Sequence, residues 1–237
     1  LSRTVGFAVA AHTAVVTTGG RYSNVIYVYD GSGKWLYTQR FIDDNVMQVA
    51  FSDDNRYLYV TRVTSDNGDI VTKLSKYDIT GDGTELWSQT ISDCVSLSLG
   101  INDNILTVTG DNMAATYNAD SGELAGYYSY QGTLESFDTS SSQKVFVLDD
   151  YTGDGKKLIF LNDKCEMTAS AAVSADVKQI KVSGDTVFVM TESDITQYNL
   201  SLESVKKTLL TDSYSDFITV GGLILLMGYD AIDCISL

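Results

Sequence analysis

The chain is poor in the residues that most often carry chemistry. It has one histidine, three cysteines and no proline. The histidine, His12, lies in AAHTAV, at a predicted turn. Ser-His-Asp catalysis would have to use it, and there is no G-x-S-x-G elbow to hold a nucleophile. A histidine-based zinc site fails on ligand count unless cysteines and carboxylates stand in. His12 therefore reads as a structural or solvent-facing residue. Cys94, Cys165 and Cys234 are far apart and show no C-x-x-C spacing, which argues against a metal knuckle or a disulfide framework. Each is assigned to a predicted strand as a small buried hydrophobe. The odd count leaves at least one thiol free. The longest apolar run, residues 221–228 (GGLILLMG), is strand length, far short of the ~20 residues of a spanning helix. Basic residues are scarce. With 16 Lys and Arg against 31 Asp and Glu, the net charge is −15 and the pI is near 4.2. A nucleic-acid binder needs a basic footprint to neutralise phosphate, so that class is disfavoured. Docking on an anionic membrane surface is disfavoured for the same reason. A solvated surface, or a cationic partner, suits the charge.

What is present is a repeat. The 237 residues are 44% hydrophobic and 20% charged, ordinary for a globular chain able to bury its own core. Apolar strands end in an aromatic followed by Asp or Asn at Tyr29-Asp30, Tyr77-Asp78, Tyr117-Asn118 and Tyr198-Asn199. Leu161-Asn162 and Ile235-Ser236 continue the series. A second series runs in step: AVVT, LYVT, LTVT, VFVL, VFVM and ILLM, centred on Val16, Val60, Val108, Val147, Val189 and Leu226. Both recur about every 40 residues, the period of four-stranded propeller blades.

Each repeat supplies an inner strand (VMQVAF is one), a nearly all-apolar second strand, a third with the aromatic-Asp/Asn ending, and a more polar, alternating fourth such as TELWSQTI. Strands packed on both faces read as continuous apolar runs, and half-exposed outer strands alternate. No segment holds a helical period, and β-branched and aromatic residues dominate. The expected fold is all-β: a single β-propeller domain over residues 1–237, with about six four-stranded antiparallel blades and five or seven as the alternatives. The sixth repeat stops after its third strand. Three arrangements are open: residues preceding Leu1 supply the missing strand, the last blade has three strands, or residues 4–10 close the ring.

At the turns after the third strands the chain reads YDGSGKWLY, YDITGDGTELW and YNADSGELAGYY. These are similar to the Asp-x-x-Thr-Gly-x-x-x-Trp turn of the quinoprotein-like propeller superfamily. The stretch VAFSDDNRYLYV resembles repeats of YVTN and WD40-like propellers. The likeness spans most of the chain as a repeat. Quinone-dependent members have more blades and a vicinal cysteine pair, both lacking here, so no cofactor is carried over. The overall pattern also resembles uncharacterised bacterial membrane-anchored propellers of unknown function.

Three constellations offer chemistry. Residues 78–83 and 150–155 share Asp-x-Thr-Gly-Asp-Gly, which sets Asp78 with Asp82, and Asp150 with Asp154, as calcium ligands on a tight turn. Leu86 and Leu158 fall where further ligands are needed, and a Gly/Asp hairpin turn explains the same letters. The pairs Asp43-Asp44, Asp53-Asp54 and Asp149-Asp150 could serve a carbohydrate hydrolase if two carboxyls shared one cleft. Finally, loops joining second to third strands, and fourth strands to the next blade, open on one face. That face is acidic and carries tyrosines, whose flat apolar rings with polar tips suit peptide or sugar recognition. Asp43, Asp44, Tyr22, Tyr151, Tyr214, Asp216 and Tyr229 are the candidate binding residues. The expectation is a non-enzymatic extracytoplasmic binding or scaffold propeller, with no catalytic residue and no resident cofactor. It would present this face to a protein, peptide or glycan and bind neither nucleic acid nor membrane directly. An anchor or export signal would lie upstream of Leu1. A carbohydrate hydrolase and a calcium-stabilised scaffold are the alternatives.

Overall fold

The computed structural model describes residues 7–11, 15–17, 20–30, 32–42, 44–80, 82–139, 143–150, 155–173 and 176–236, with side chains placed from Val25 onward. These residues form six antiparallel sheets. The first holds β1 (Phe7–Ala11), β2 (Val15–Thr17), β3 (Gly20–Tyr29) and β4 (Trp35–Ile42). The second holds β5 (Asn45–Phe51), β6 (Tyr57–Asp66), β7 (Asp69–Asp78) and β8 (Thr84–Ser92). The third holds β9 (Ser96–Asn102), β10 (Ile105–Gly110), β11 (Met113–Asn118) and β12 (Leu124–Ser129). The fourth holds β13 (Gly132–Asp138), β14 (Lys144–Asp150), β15 (Lys156–Leu161) and β16 (Met167–Val173). The fifth holds β17 (Val177–Ser183), β18 (Thr186–Thr191), β19 (Asp194–Tyr198) and β20 (Ser204–Leu209). The sixth has three strands: β21 (Asp216–Val220), β22 (Leu223–Met227) and β23 (Ile232–Ser236). Strand follows strand in order across sheets two to six, the blade pattern of a β-propeller expected from the repeat. No described helix is long and apolar enough to cross a membrane.

The first sheet departs from that pattern. β2 spans only three residues, so it covers one end of the ten-residue β3. β1 fills the rest of the same edge, with Phe7 opposite Tyr29 and Ala11 opposite Val25. The stretch AVVT is therefore not interposed between β1 and β3.

The chain divides into two compact units, residues 1–125 and 126–237. In the first, Ile26, Val28, Phe41, Leu58 and Val60 pack the first sheet on the second, and Leu74, Leu106, Val108 and Met113 pack the second on the third. In the second, Val147, Leu158, Phe160, Ile180 and Val189 join the fourth sheet to the fifth. Phe188, Met190, Phe217, Ile224 and Leu226 join the fifth to the sixth. The second strands β10 and β18 are buried along nearly their whole length, and β6 is buried from Leu58 to Arg62. Burying one such aliphatic or phenyl side chain contributes about 1.5–3 kcal/mol.

The aromatic-Asp/Asn ending has a local cause. The carboxylate of Asp30 accepts from the backbone N–H of Ser32 and Lys34, and Asp78 accepts from that of Thr80. The side-chain carbonyls of Asn118, Asn162 and Asn199 do the same in their turns. Asp and Asn form such turns because a short polar side chain can bond the backbone two residues on. The residue before them carries a break in register in four third-to-fourth ladders, at Val28/Tyr29, Lys76/Tyr77, Phe160/Leu161 and Gln197/Tyr198. The same turns seat a ring. A Cβ on Gly83 would overlap Tyr37, and one on Gly122 would overlap Trp87. Both glycines also have positive φ, at 77° and 74°. In the fourth sheet the roles exchange. The positive-φ turn residue is Cys165, and Gly126, two residues into β12, leaves room for the Lys164 backbone.

Two cysteines sit elsewhere than expected. Cys94 and Cys165 are buried in the connections β8–β9 and β15–β16, not in strands. Both pack like apolar residues, and a turn buried beneath a neighbouring sheet can be as apolar as a strand. Only Cys234 lies in a strand, and it is exposed.

Candidate functional site

Three of the sequence candidates meet at one end of the sixth sheet. The hairpin between β22 and β23 is closed by Gly228 N–H donating to Ala231 C=O at 2.9 Å, which puts Tyr229 and Asp230 at its tip. Tyr229 is fully exposed. Beneath it, Tyr214 from the β20–β21 connection is buried and donates its hydroxyl to Asp233 Oδ2 at 2.6 Å. That bond pushes the phenol pKa above its ordinary value, so Tyr214 stays a neutral donor. Ser215 N–H donates to Met227 C=O at 2.9 Å and fixes the connection against β22. Asp216 opens β21, and its Oδ1 accepts from Phe217 N–H at 2.7 Å.

The fifth sheet braces the cluster. Lys178 Nζ donates to the Tyr214 carbonyl at 3.2 Å and pairs with Glu192. Glu192 also accepts from Ser213 Oγ at 3.2 Å. The bond from Lys178 holds the Glu192 carboxyl below its usual range. Beside the cluster runs a groove of about 320 Å³ lined by residues 208–211, Tyr214, Leu226 and residues 233–235. From Thr208 to Leu237 the chain has Asp212, Asp216, Asp230 and Asp233 and neither Lys nor Arg. This end is therefore locally anionic, with a hydrogen-bonded base beneath one exposed ring.

The remaining candidates lie apart. Asp44 is buried, with Arg62 Nη1 at 2.7 Å from its Oδ2, and Arg62 also donates to Ser75 Oγ at 2.8 Å and stacks over Phe41. Its carboxylate faces the interior of the second sheet. Asp43, Tyr151, Asp154 and His12 lie outside the described residues, and Tyr22 is described in backbone only, opposite Val15 and Ile42. Asp150 pairs with Lys157 at 3.0 Å on a groove of about 370 Å³ that Tyr128, Tyr130 and Met167 also line. Asp78 binds the Thr80 hydroxyl at 2.6 Å and Arg56 at 3.4 Å, and Asp82 binds the Thr84 hydroxyl at 2.6 Å. Among the described residues, no three His, Cys, Asp or Glu side chains converge as a metal site requires.

Sequence reasoning missed Asp233, Lys178 and Glu192. Asp233 sits mid-strand in a short terminal segment, and its partner Tyr214 is 19 residues away, so no local pattern marks the pair. The signal that was present is the base-free run after Lys207.

The fold has counterparts among solved structures. The C-terminal WD40 domain of Sif2 aligns with a TM-score of 0.67 at 12% identity, over 100% of this chain and 67% of that one. Sqt1 of Saccharomyces cerevisiae aligns with a TM-score of 0.65 at 13% identity, over 96% and 67%. BamB from Moraxella catarrhalis aligns with a TM-score of 0.61 at 12% identity, over 98% and 73%. Likeness at this identity speaks for the propeller fold alone. No curated protein matches the sequence. A family model does match, over residues 5–237, and on that match the chain belongs to the Family of unknown function (DUF5711).

Proposed function

We propose that the chain is a single, non-enzymatic propeller domain that works outside the cytoplasm as a binding module. Its contact surface is the loop end carrying Tyr229, Asp230, Asp212 and Asp216, and its partner is a protein or peptide with basic groups. The observation that carries this reading is Tyr229: a fully exposed tyrosine on a tight turn seated on the buried Tyr214–Asp233 pair. A tyrosine has only two side-chain torsions to lose on binding and offers both an apolar face and a hydroxyl, the profile of an interface anchor. The carboxylates around it select a cationic partner and speed encounter. Glu192 and Asp194, held charged by lysine partners, have the character of fixed anions and not of a general acid, which needs a raised pKa.

Photo-crosslinking tests it. With p-benzoylphenylalanine at position 229, a discrete protein adduct is expected in cells of the native host. No adduct is expected with the probe at position 164, in the turn between β15 and β16. Loss of the adduct on Asp212→Asn with Asp216→Asn would support the acidic selection. Equal adducts at both positions would refute the proposed surface.

A further inference from the structure

The second sheet ends in a ribbon that outruns its neighbours. β6 and β7 have ten residues each, against five to seven in the second and third strands of the later sheets. β5 begins with Asn45 opposite Val63, and β8 ends with Ser92 opposite Val71. The rungs Ser65–Ile70 and Asp66–Asp69 therefore lie beyond both flanking strands, although Asp93 N–H still reaches the Ile70 carbonyl at 3.0 Å. Residues 65–70 are all exposed. The last rung sets two carboxylates directly opposite one another, an arrangement that loosens a ladder. A two-stranded ribbon is marginal in water, so this tip opens more readily than the sheet behind it.

Asn67 and Gly68 form the turn, both at positive φ. Asn67 is the one asparagine in the sequence that glycine follows. The pairing bonds of the last rung belong to Asp66 and Asp69, and no described group accepts from Gly68 N–H. Nothing lies within 4 Å of the place where a Gly68 side chain would stand. The Gly68 nitrogen is thus unbonded, unshielded by a Cβ, and next in the chain to the Asn67 side-chain carbonyl. The Asn67 amide donates to Asp66 Oδ1 at 3.1 Å, on the same exposed tip. The β9–β10 turn is a ready comparison. Asp103 and Asn104 also have positive φ, but Asn104 is followed by the β-branched Ile105, which stands in the ladder opposite Asn102. The Asn104 amide is held by Asp120 Oδ2 at 3.0 Å.

We infer that Asn67 is a site of spontaneous covalent modification, an asparagine that deamidates through a succinimide with water as the only reagent. When the tip opens, the Gly68 nitrogen attacks Cγ of Asn67. The N–Cγ bond forms, the Cγ–Nδ2 bond breaks, and the Gly68 proton leaves with the amide nitrogen as ammonia. Water then adds to one of the two ring carbonyls. Opening at Cγ leaves an aspartate at position 67. Opening at the main-chain carbonyl leaves an isoaspartate, with the backbone running through the side-chain carbons. Either product adds a third carboxylate to the tip that Asp66 and Asp69 already charge. Isoaspartate also lengthens the turn by one backbone atom. The chemistry is independent of the binding surface described above.

Peptide mapping by mass spectrometry reads the site, on the full chain aged in mildly alkaline buffer without denaturant. Trypsin cuts after Arg62 and Lys73, so Asn67 falls in a peptide with no other side-chain amide. That peptide should gain the mass difference between NH2 and OH and split into two chromatographic forms. One form, the isoaspartyl one, should accept a methyl group from an isoaspartyl carboxyl methyltransferase. Asn55, Asn104 and Asn112 should stay unchanged over the same period. The rate should lie within about tenfold of that of a synthetic peptide copying residues 65–69 (SDNGD), because a frayed rung opens at little cost. Asn67→Gln should remove the signal, with circular dichroism checking that the variant is folded. A rate further below the peptide's means that the hairpin protects the asparagine, and overturns the proposal. Equal gain at Asn104 overturns it too, since neither the glycine nor the open tip would then decide the site. Gain that persists in Asn67→Gln places the chemistry elsewhere and overturns it as well.

Discussion

In the second sheet the third strand, β7, is paired along both edges, with β6 from Asp66 opposite Asp69 to Tyr57 opposite Asp78, and with β8 beyond. In the sixth sheet the corresponding strand, β23, is paired along one. The second sheet also buries an ion pair, Arg62 with Asp44, which Ser75 joins by a hydrogen bond, and its hairpin closes with Asn67-Gly68, both at positive φ, as a tight two-residue turn demands. The sixth sheet keeps its acids at the surface and exposes Ile218, Val220 and Ile232. Among the described residues one repeat thus yields a third strand paired on both sides and another paired on one.

Substitutions can widen or close that difference. The largest effect is expected from Arg62→Ala. It takes the nearest cation from the buried Asp44 carboxylate, leaving Lys73 at 3.9 Å, and should lower unfolding free energy by up to about 3–5 kcal/mol in urea titration. Phe217→Ala, which opens the core between the fifth and sixth sheets, is expected to cost a similar ~3–5 kcal/mol. Next comes a proline pair. Leu74→Pro removes a ladder N–H in β7 and is expected to cost about 2 kcal/mol or more. Cys234→Pro, on the open edge, should stay within about 1 kcal/mol. Equal losses would show that β23 is covered in solution.

Acid should reveal the surface ion pairs. Asp78 is held below its ordinary value by the Thr80 hydroxyl, and Glu192 by Lys178. A depressed pKa in the folded chain means the contribution is complete above the ordinary values of 3.8 and 4.5 and is lost as pH falls through and below them. The melting temperature should therefore be flat from neutral pH to about 5 and fall beyond it. Lys178→Met should shallow that fall. The smallest effect is on labelling. Cys234 should react with a maleimide in the native chain, while Cys94, whose thiol burial pushes up to about 12, should react only after unfolding.

The repeat could be read from the letters because its causes are local. An Asp or Asn that bonds the backbone two residues on, and an apolar strand of fixed length, are visible in any ten residues. What escaped depends on distant partners. Asp44 looked like a loop acid because Arg62, 18 residues on, is what draws it inside. Cys94 and Cys165 looked like strand residues because composition registers burial and not backbone hydrogen bonding. β2 was expected to match its counterparts, and its three residues prove too few to separate β1 from β3. Tyr229 was legible as a loop tyrosine, but the Tyr214–Asp233 bond at the base of its hairpin was not.

The seam where Tyr37 meets Gly83, Trp87 meets Gly122, and Gly126 meets Lys164 behaves as a gap of constant width shared by two positions. Bulk on one side obliges smallness on the other. Change at either position is therefore conditional: a ring at 126 would be tolerated only in a chain whose neighbouring turn had already given way. Such paired constraints let related sequences drift far apart in identity while every blade keeps its distance from the next.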